Sequence, residues 1–207
     1  MRDFSQGVEH LSINTATVRK QLTLPAIIEA CAKRGIRAID PWRDQVAAAG
    51  LAPVARQLKD AGAVLSGYCR GGFFTATDSS GLRAALDDNR RAIDEAKTLD
   101  APHVVVVAGS LPDALQGKPL SHDIDLARSQ VLDGLAGTLE YARQVGMPLA
   151  IEPLHPMQAA ERACINTLEH ALDICDALDP ARTGAVGVAL DVYHCWWDPK
   201  LKSQIAR

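Results

Sequence analysis

Three stretches of this chain, around Val104–Val107, Leu149–Ile151 and Val188–Leu190, are almost unbroken apolar runs. A half-exposed strand alternates apolar and polar residues, so unbroken runs predict parallel strands covered on both faces. Three weaker candidates precede them, giving six in all: "HLSINTA" (10–16), "IRAIDPW" (36–42), "AVLSGYC" (63–69), "HVVVVAG" (103–109), "PLAIEPL" (148–154) and "GVALDVYH" (187–194). No Asn-Gly turn joins any two of them. Longer amphipathic segments fill the gaps. "TLPAIIEACAKRG" has Thr23 as a cap, Pro25 in the first turn and Gly35 at its end. "GLRAALDDNRRAIDEAKTLD" sets Leu82, Leu86, Ile93 and Ala96 along one stripe, and residues 123–145 carry Leu126, Val131, Leu135 and Leu139 before Gly146. In "NTLEHALDICDALDP" the spacing of Asn166 and Glu169 predicts a capping box, Leu168, Leu172, Cys175 and Leu178 form the buried face, and Pro180 ends the helix.

Strand and helix in strict alternation predict an α/β fold with a parallel sheet. An open nucleotide-binding sheet would need GxGxxG after its first strand, where this chain has "NTATV". The alternative is a (β/α)8 barrel of the TIM type. Six βα units fill the 207 residues, and eight at the same spacing would need roughly 270. The expectation is therefore one barrel domain over residues 1–207, incomplete at its C-terminus, where "DPKLKSQIAR" opens a further helix with Leu201 and Ile205 four apart.

Composition narrows the function classes. A net charge of −3 and a pI of 6.1 predict no general attraction to nucleic acid or acidic membranes. The N-terminus lacks the apolar core of a signal peptide, and no run reaches a membrane span. Five cysteines without a CxxC pair read as reduced, buried thiols of a cytoplasmic protein.

Active sites of such folds lie at the carboxyl ends of the strands. Strand five ends in Glu152, followed by "PLHP", and strand six in Asp191, with His194 three residues on. An unpaired carboxylate at the end of an apolar strand costs several kcal/mol, and two on neighbouring strands repel. A divalent cation between Glu152 and Asp191 removes both costs. Oxygen ligands suit Mg or Mn, and an added His shifts the preference towards Mn, Co or Zn. The competing reading pairs these carboxylates with Arg70 or Lys side chains, or uses them as helix caps. His155 lines the same mouth or is a loop histidine, and Trp196 and Trp197 offer a flat apolar wall or pack beneath the next helix. Arg70, beside Gly71-Gly72, binds a phosphate or carboxylate or forms a surface ion pair. His103 and His10 open their strands and read as structural, and His122 and His170 as solvated.

"AIEPLHP" and "LDVYHCWWDP" together resemble the xylose isomerase-like barrel superfamily, in particular its sugar phosphate isomerase/epimerase branch. That branch includes tagatose 3-epimerase-like enzymes and is related to endonuclease IV. The resemblance implies Glu152 and Asp191 as metal ligands, Glu152 also as catalytic base, and His194 as a catalytic and substrate-binding donor. It also implies His155, Arg70 and Trp196 as further substrate-binding positions. The implied reaction moves a proton next to a metal-polarised carbonyl of a small sugar or sugar phosphate. Such families take two more ligands from strands seven and eight, which the chain does not reach, so weak or absent epimerase activity is expected of the 207 residues alone. Two alternatives remain. An endonuclease IV-like phosphodiester hydrolase would need histidines where strands three and four offer Cys69, Arg70, Ala108 and Gly109. A non-catalytic relic would need a partner, such as a homo-oligomer, to cover open sheet edges.

Overall fold

A computed structural model describes residues 7–114, 119, 121–159 and 161–207. Parallel strands alternate with helices as the apolar runs require. The chain divides into two compact units, one of the residues up to Arg70 with Asp94–Val104, the other of Gly71–Ile93 with Val105–Arg207.

The first unit holds β1 (Ser12–Asn14), β2 (Ala38–Asp40) and β3 (Val64–Leu65), a parallel sheet in that order with Asn14 opposite Asp40 and Ile39 opposite Leu65. Helix α1 (Leu24–Lys33) buries Leu24, Ile27, Ile28 and Cys31, the spacing of one helical face. Pro25 sits in its first turn as expected, although Thr23 at the cap position makes no side-chain bond. Two helices not singled out in the sequence, α2 (Arg43–Ala49) and α3 (Leu51–Asp60), meet at Gly50, whose φ of 86° favours glycine. Strand β4 (Tyr68–Gly72) continues the third predicted strand, which is interrupted at Ser66-Gly67 and ends three residues later than predicted. Tyr68 is fully buried, and its hydroxyl donates to Glu95, which also takes the Arg43 guanidinium.

The strands β4, β5 (Val104–Val107), β6 (Leu149–Glu152) and β7 (Val186–Val188) form a four-stranded sheet in that order. All four valines of β5 are buried. In the second unit Phe73 N–H donates to Val107 O, and the backbone there runs so close that a Cβ on Gly72 would lie 1.7 Å from the Val107 oxygen. Helix α4 (Ser79–Thr98) is divided between the units. Helix α5 (Ile124–Val145) is capped by Asp123 and ends at Gly146 in the left-handed region. Its buried stripe is Ala127, Val131, Leu135 and Leu139, whereas Leu126, one residue off that face, is exposed.

Helix α6 (Leu168–Leu178) starts differently from the capping-box reading. Thr167 is the N-cap and accepts the His170 N–H, Asn166 donates to Leu154 O, and Glu169 pairs with Lys200. Tertiary partners outcompete the local box. The sixth strand is also shorter than predicted: Asp191 caps a one-turn helix α7 (Val192–Cys195) that contains His194, and α8 (Leu201–Ile205) follows. His170 and His103 are half-buried and His122 is exposed, so of the pair read as solvated only His122 is. The five cysteines are free and buried. Among the described residues no helix is long and apolar enough to cross a membrane.

Asp40 is the anomaly of the first unit. Its Oδ2 receives a long bond from Asn14, while Oδ1 is buried with no donor. Burial pushes its carboxyl up to about 6 from the usual 3.8. A folded state that binds the proton more tightly than the unfolded chain is favoured in full below about 3.8 and loses that advantage as pH rises through about 6. Asp40→Asn is therefore expected to change little at pH 4 and to stabilise by about 2–3 kcal/mol at pH 7.5. Urea denaturation at the two pH values measures the difference, and an equal effect at both would contradict the assignment.

Candidate metal centre

Strand β6 alternates buried Leu149 and Ile151 with half-buried Ala150 and Glu152, so Glu152 takes the opposite face from the packed residues. Pro153 follows directly and ends the strand. Beyond it the chain is held at every step: Leu154 N–H donates to Ile165 O, and His155 N–H donates to His194 Nδ1 at 3.0 Å.

Strand β7 pairs in parallel with β6, Ile151 opposite Val188, and Ala189 N–H extends the ladder to Ile151 O. Asp191 then accepts the Tyr193 N–H on Oδ1 at 2.7 Å and so caps α7. The cap reading of this carboxylate is thus correct for one oxygen. One helical turn brings His194 back over Asp191. Ligand atoms of Glu152, Asp191 and His194, all half-buried, lie within 4.8 Å of one another.

The electrostatics of the cluster favour a cation. Burial first, and then the charges of Asp198, Asp191 and Glu152, push the Cys195 thiol up to about 11, so the local field is negative. Burial holds the His194 imidazole below its ordinary value, against the opposing pull of Asp191. Because its Nδ1 accepts the His155 N–H, the neutral tautomer carries its proton on Nε2. His194 is therefore arranged as a hydrogen-bond donor beside two carboxylates.

His155 lies beside the cluster, its Nδ1 taken by Met157 N–H. Its ring is bracketed by Trp196 at 6.3 Å and Trp197 at 5.9 Å. The two tryptophans divide the roles read for them. Trp197 is half-buried and its Nε1–H closes α7 on His194 O at 2.8 Å, while Trp196 is 66% exposed. Arg70 is placed in the first unit, its guanidinium 5.8 Å over the Trp42 ring. Two residues of the site escaped the sequence reading. Tyr193, also exposed, belongs to the same aromatic group, and Asp198 is a buried carboxylate within "WWDP" whose proximity to tryptophan and proline was its only signal.

The model of the xylose isomerase-like TIM barrel family matches residues 28–207. The chain belongs to that family. A protein of Sinorhizobium meliloti 1021 is 56% identical to it, with a TM-score of 0.90, over 97% of this chain and 70% of that one. The IOLI protein with a bound zinc atom is 21% identical, with a TM-score of 0.69, over 88% of this chain and 63% of its own. D-psicose 3-epimerase, solved in the presence of D-fructose, is 19% identical, with a TM-score of 0.70, over the same shares of 88% and 63%. The last two show the fold alone. Comparison with curated proteins gave no significant match.

Within this xylose isomerase-like site the indole bond of Trp197 is the testable structural element. Trp197→Phe keeps an aromatic ring but removes the donor to His194 O, and is expected to cost about 0.5–1.5 kcal/mol. Trp196→Phe, at an exposed position, is expected to stay within about 0.5 kcal/mol. Chemical denaturation of both variants measures the contrast.

Proposed function

We propose that this chain carries the divalent-metal site of an isomerase or epimerase acting on a small sugar or sugar phosphate. The observation that carries the reading is the convergence of Glu152, Asp191 and His194 within 4.8 Å at the ends of two adjacent parallel strands. The donor set fits the group. Two carboxylates in a negative field provide hard oxygen ligands for Mn, Mg, Co or Zn. A zinc-binding protein and a ketose epimerase among the fold neighbours support this reading.

A divalent cation held there would supply Lewis acidity towards a substrate carbonyl, worth several kcal/mol of barrier. The chain's own residues do the remainder. Glu152 would help to hold the cation and, as base, would take the carbon-bound proton next to that carbonyl and, for isomerisation, return it as acid to the neighbouring carbon. Asp191 keeps its ligand oxygen oriented because its other oxygen is pinned by the Tyr193 N–H. His194 donates its Nε2–H to a substrate oxygen and so fixes which carbon faces Glu152. The exposed Trp196 ring, with His155 beneath it, offers the apolar face on which the C–H side of a sugar packs.

Elemental analysis of the purified protein is expected to find about one divalent ion per chain, and Asp191→Asn is expected to lose it. No bound Mn, Co, Zn or Mg after equilibration with each would remove the basis of the proposal. Calorimetric binding of unphosphorylated and phosphorylated ketoses in the presence of Mn then separates the substrate classes.

A further inference from the structure

Glu152 and Asp191 are like charges that the structure holds close together, and something must resist their separation. Strand pairing fixes the sheet as far as Ala189, but both ligand-bearing turns run past the last ladder bond. Each turn is tied to the same short segment, the lead-in of α6.

On one side, Leu154 stands two residues after Glu152. Its N–H donates to Ile165 O at 3.1 Å and its carbonyl accepts Asn166 Nδ2 at 2.9 Å. Its side chain packs with Val107 and Ala163. On the other side, Asp198 is 7% exposed and spends both oxygens on backbone donors. Oδ2 takes Leu168 N–H at 3.1 Å and Oδ1 takes Lys200 N–H at 2.8 Å. Between Asp198 and Asp191 the chain is a closed series of bonds: His194 and Cys195 N–H to Asp191 O, Trp196 N–H to Val192 O, Asp198 N–H to Cys195 O, and the Trp197 indole to His194 O. A shift at Asp198 therefore passes to His194 with little slack. The lead-in is itself fastened to the sheet, Cys164 N–H donating to Gly109 O at 2.8 Å. Since Thr167 already caps α6, a buried carboxylate from another segment is not needed to start that helix.

We infer that Asn166 and Asp198 are positioning residues, and that the segment from Ile165 to Leu168 is a template that sets the spacing of Glu152 against Asp191 and His194. This rests on the metal reading of the site. Neither residue touches the metal or substrate; each acts through a turn that does. The arrangement also gives the "WWDP" ending its purpose, since Trp197 closes α7 and Asp198 docks it.

Co2+ is the probe, because its visible absorption reports ligand geometry as well as binding. Asn166→Asp keeps the shape and turns the donor facing Leu154 O into an acceptor. Asp198→Asn keeps the shape and replaces one accepting oxygen with an amide N–H. Both are expected to weaken Co2+ binding by about 10–100-fold and to change the visible spectrum. Arg207→Ala is the control. It removes ion pairs to Asp173 and Asp176 of α6, away from the lead-in, and is expected to lower Tm while leaving Co2+ affinity and spectrum unchanged. Wild-type affinity and spectrum in both template variants would overturn the inference and leave the metal reading standing. An equal loss in Arg207→Ala would overturn it too, as an effect of destabilisation alone. A wild-type protein that binds no Co2+ would overturn the metal reading and this inference together. Should Asp198→Asn fail to fold, Asn166→Asp decides the question by itself.

Discussion

Parallel pairing of β6 with β7 is the constraint on which the rest of the site depends. With Ile151 opposite Val188 and the ladder closed at Ala189, the two strand ends emerge side by side, about 4.8 Å apart. Parallel strands point the same way, so the residues following both emerge at one end of the sheet. Glu152 and the turn to Asp191 have no other place to go. An antiparallel pair would have put them at opposite ends.

That juxtaposition carries an electrostatic cost. Two half-buried carboxylates repel, and removal from water adds to the repulsion. The chain offsets part of this locally, by the Tyr193 N–H on Asp191, and part by bonds that keep the turns from relaxing apart. The same burial disfavours the charged form of His194, and one backbone bond occupies its Nδ1.

Much of this could be read from residues alone, and the physical reason varies from feature to feature. The run Val104–Val107 is a strand buried on both faces as its valines predict, whereas Leu149–Ile151 alternates in burial and Leu190 lies beyond its strand and is exposed; Gly146 and Pro180 stop helices through their own backbone chemistry. Glu152, Asp191 and His194 were legible because a charged or polar side chain at the end of an apolar strand is costly to desolvate unless a partner or a ligand meets it there. What failed were inferences that assumed a local partner. Asn166 and Glu169 have capping-box spacing, yet their bonds go to Leu154 and Lys200, and Thr167 takes the cap. The break at Ser66-Gly67 within the third strand follows from pairing with other strands rather than from composition. Asp198 drew no reading of its own because its partner, Leu168, lies 30 residues away in the chain.

By itself, the sequence determined the alternation of strands and helices and the places where helices stop. These follow from side-chain polarity and backbone stereochemistry within a few residues of each position. Tertiary structure alone decided which strand ends become neighbours, which oxygen of Asp191 is spent on a cap, which nitrogen of His194 keeps its proton, and that Arg70 belongs to another unit from Glu152. Each of these depends on a bond or a boundary between segments distant in the chain, and a hydrogen bond between distant residues leaves no periodicity in the sequence by which to find it.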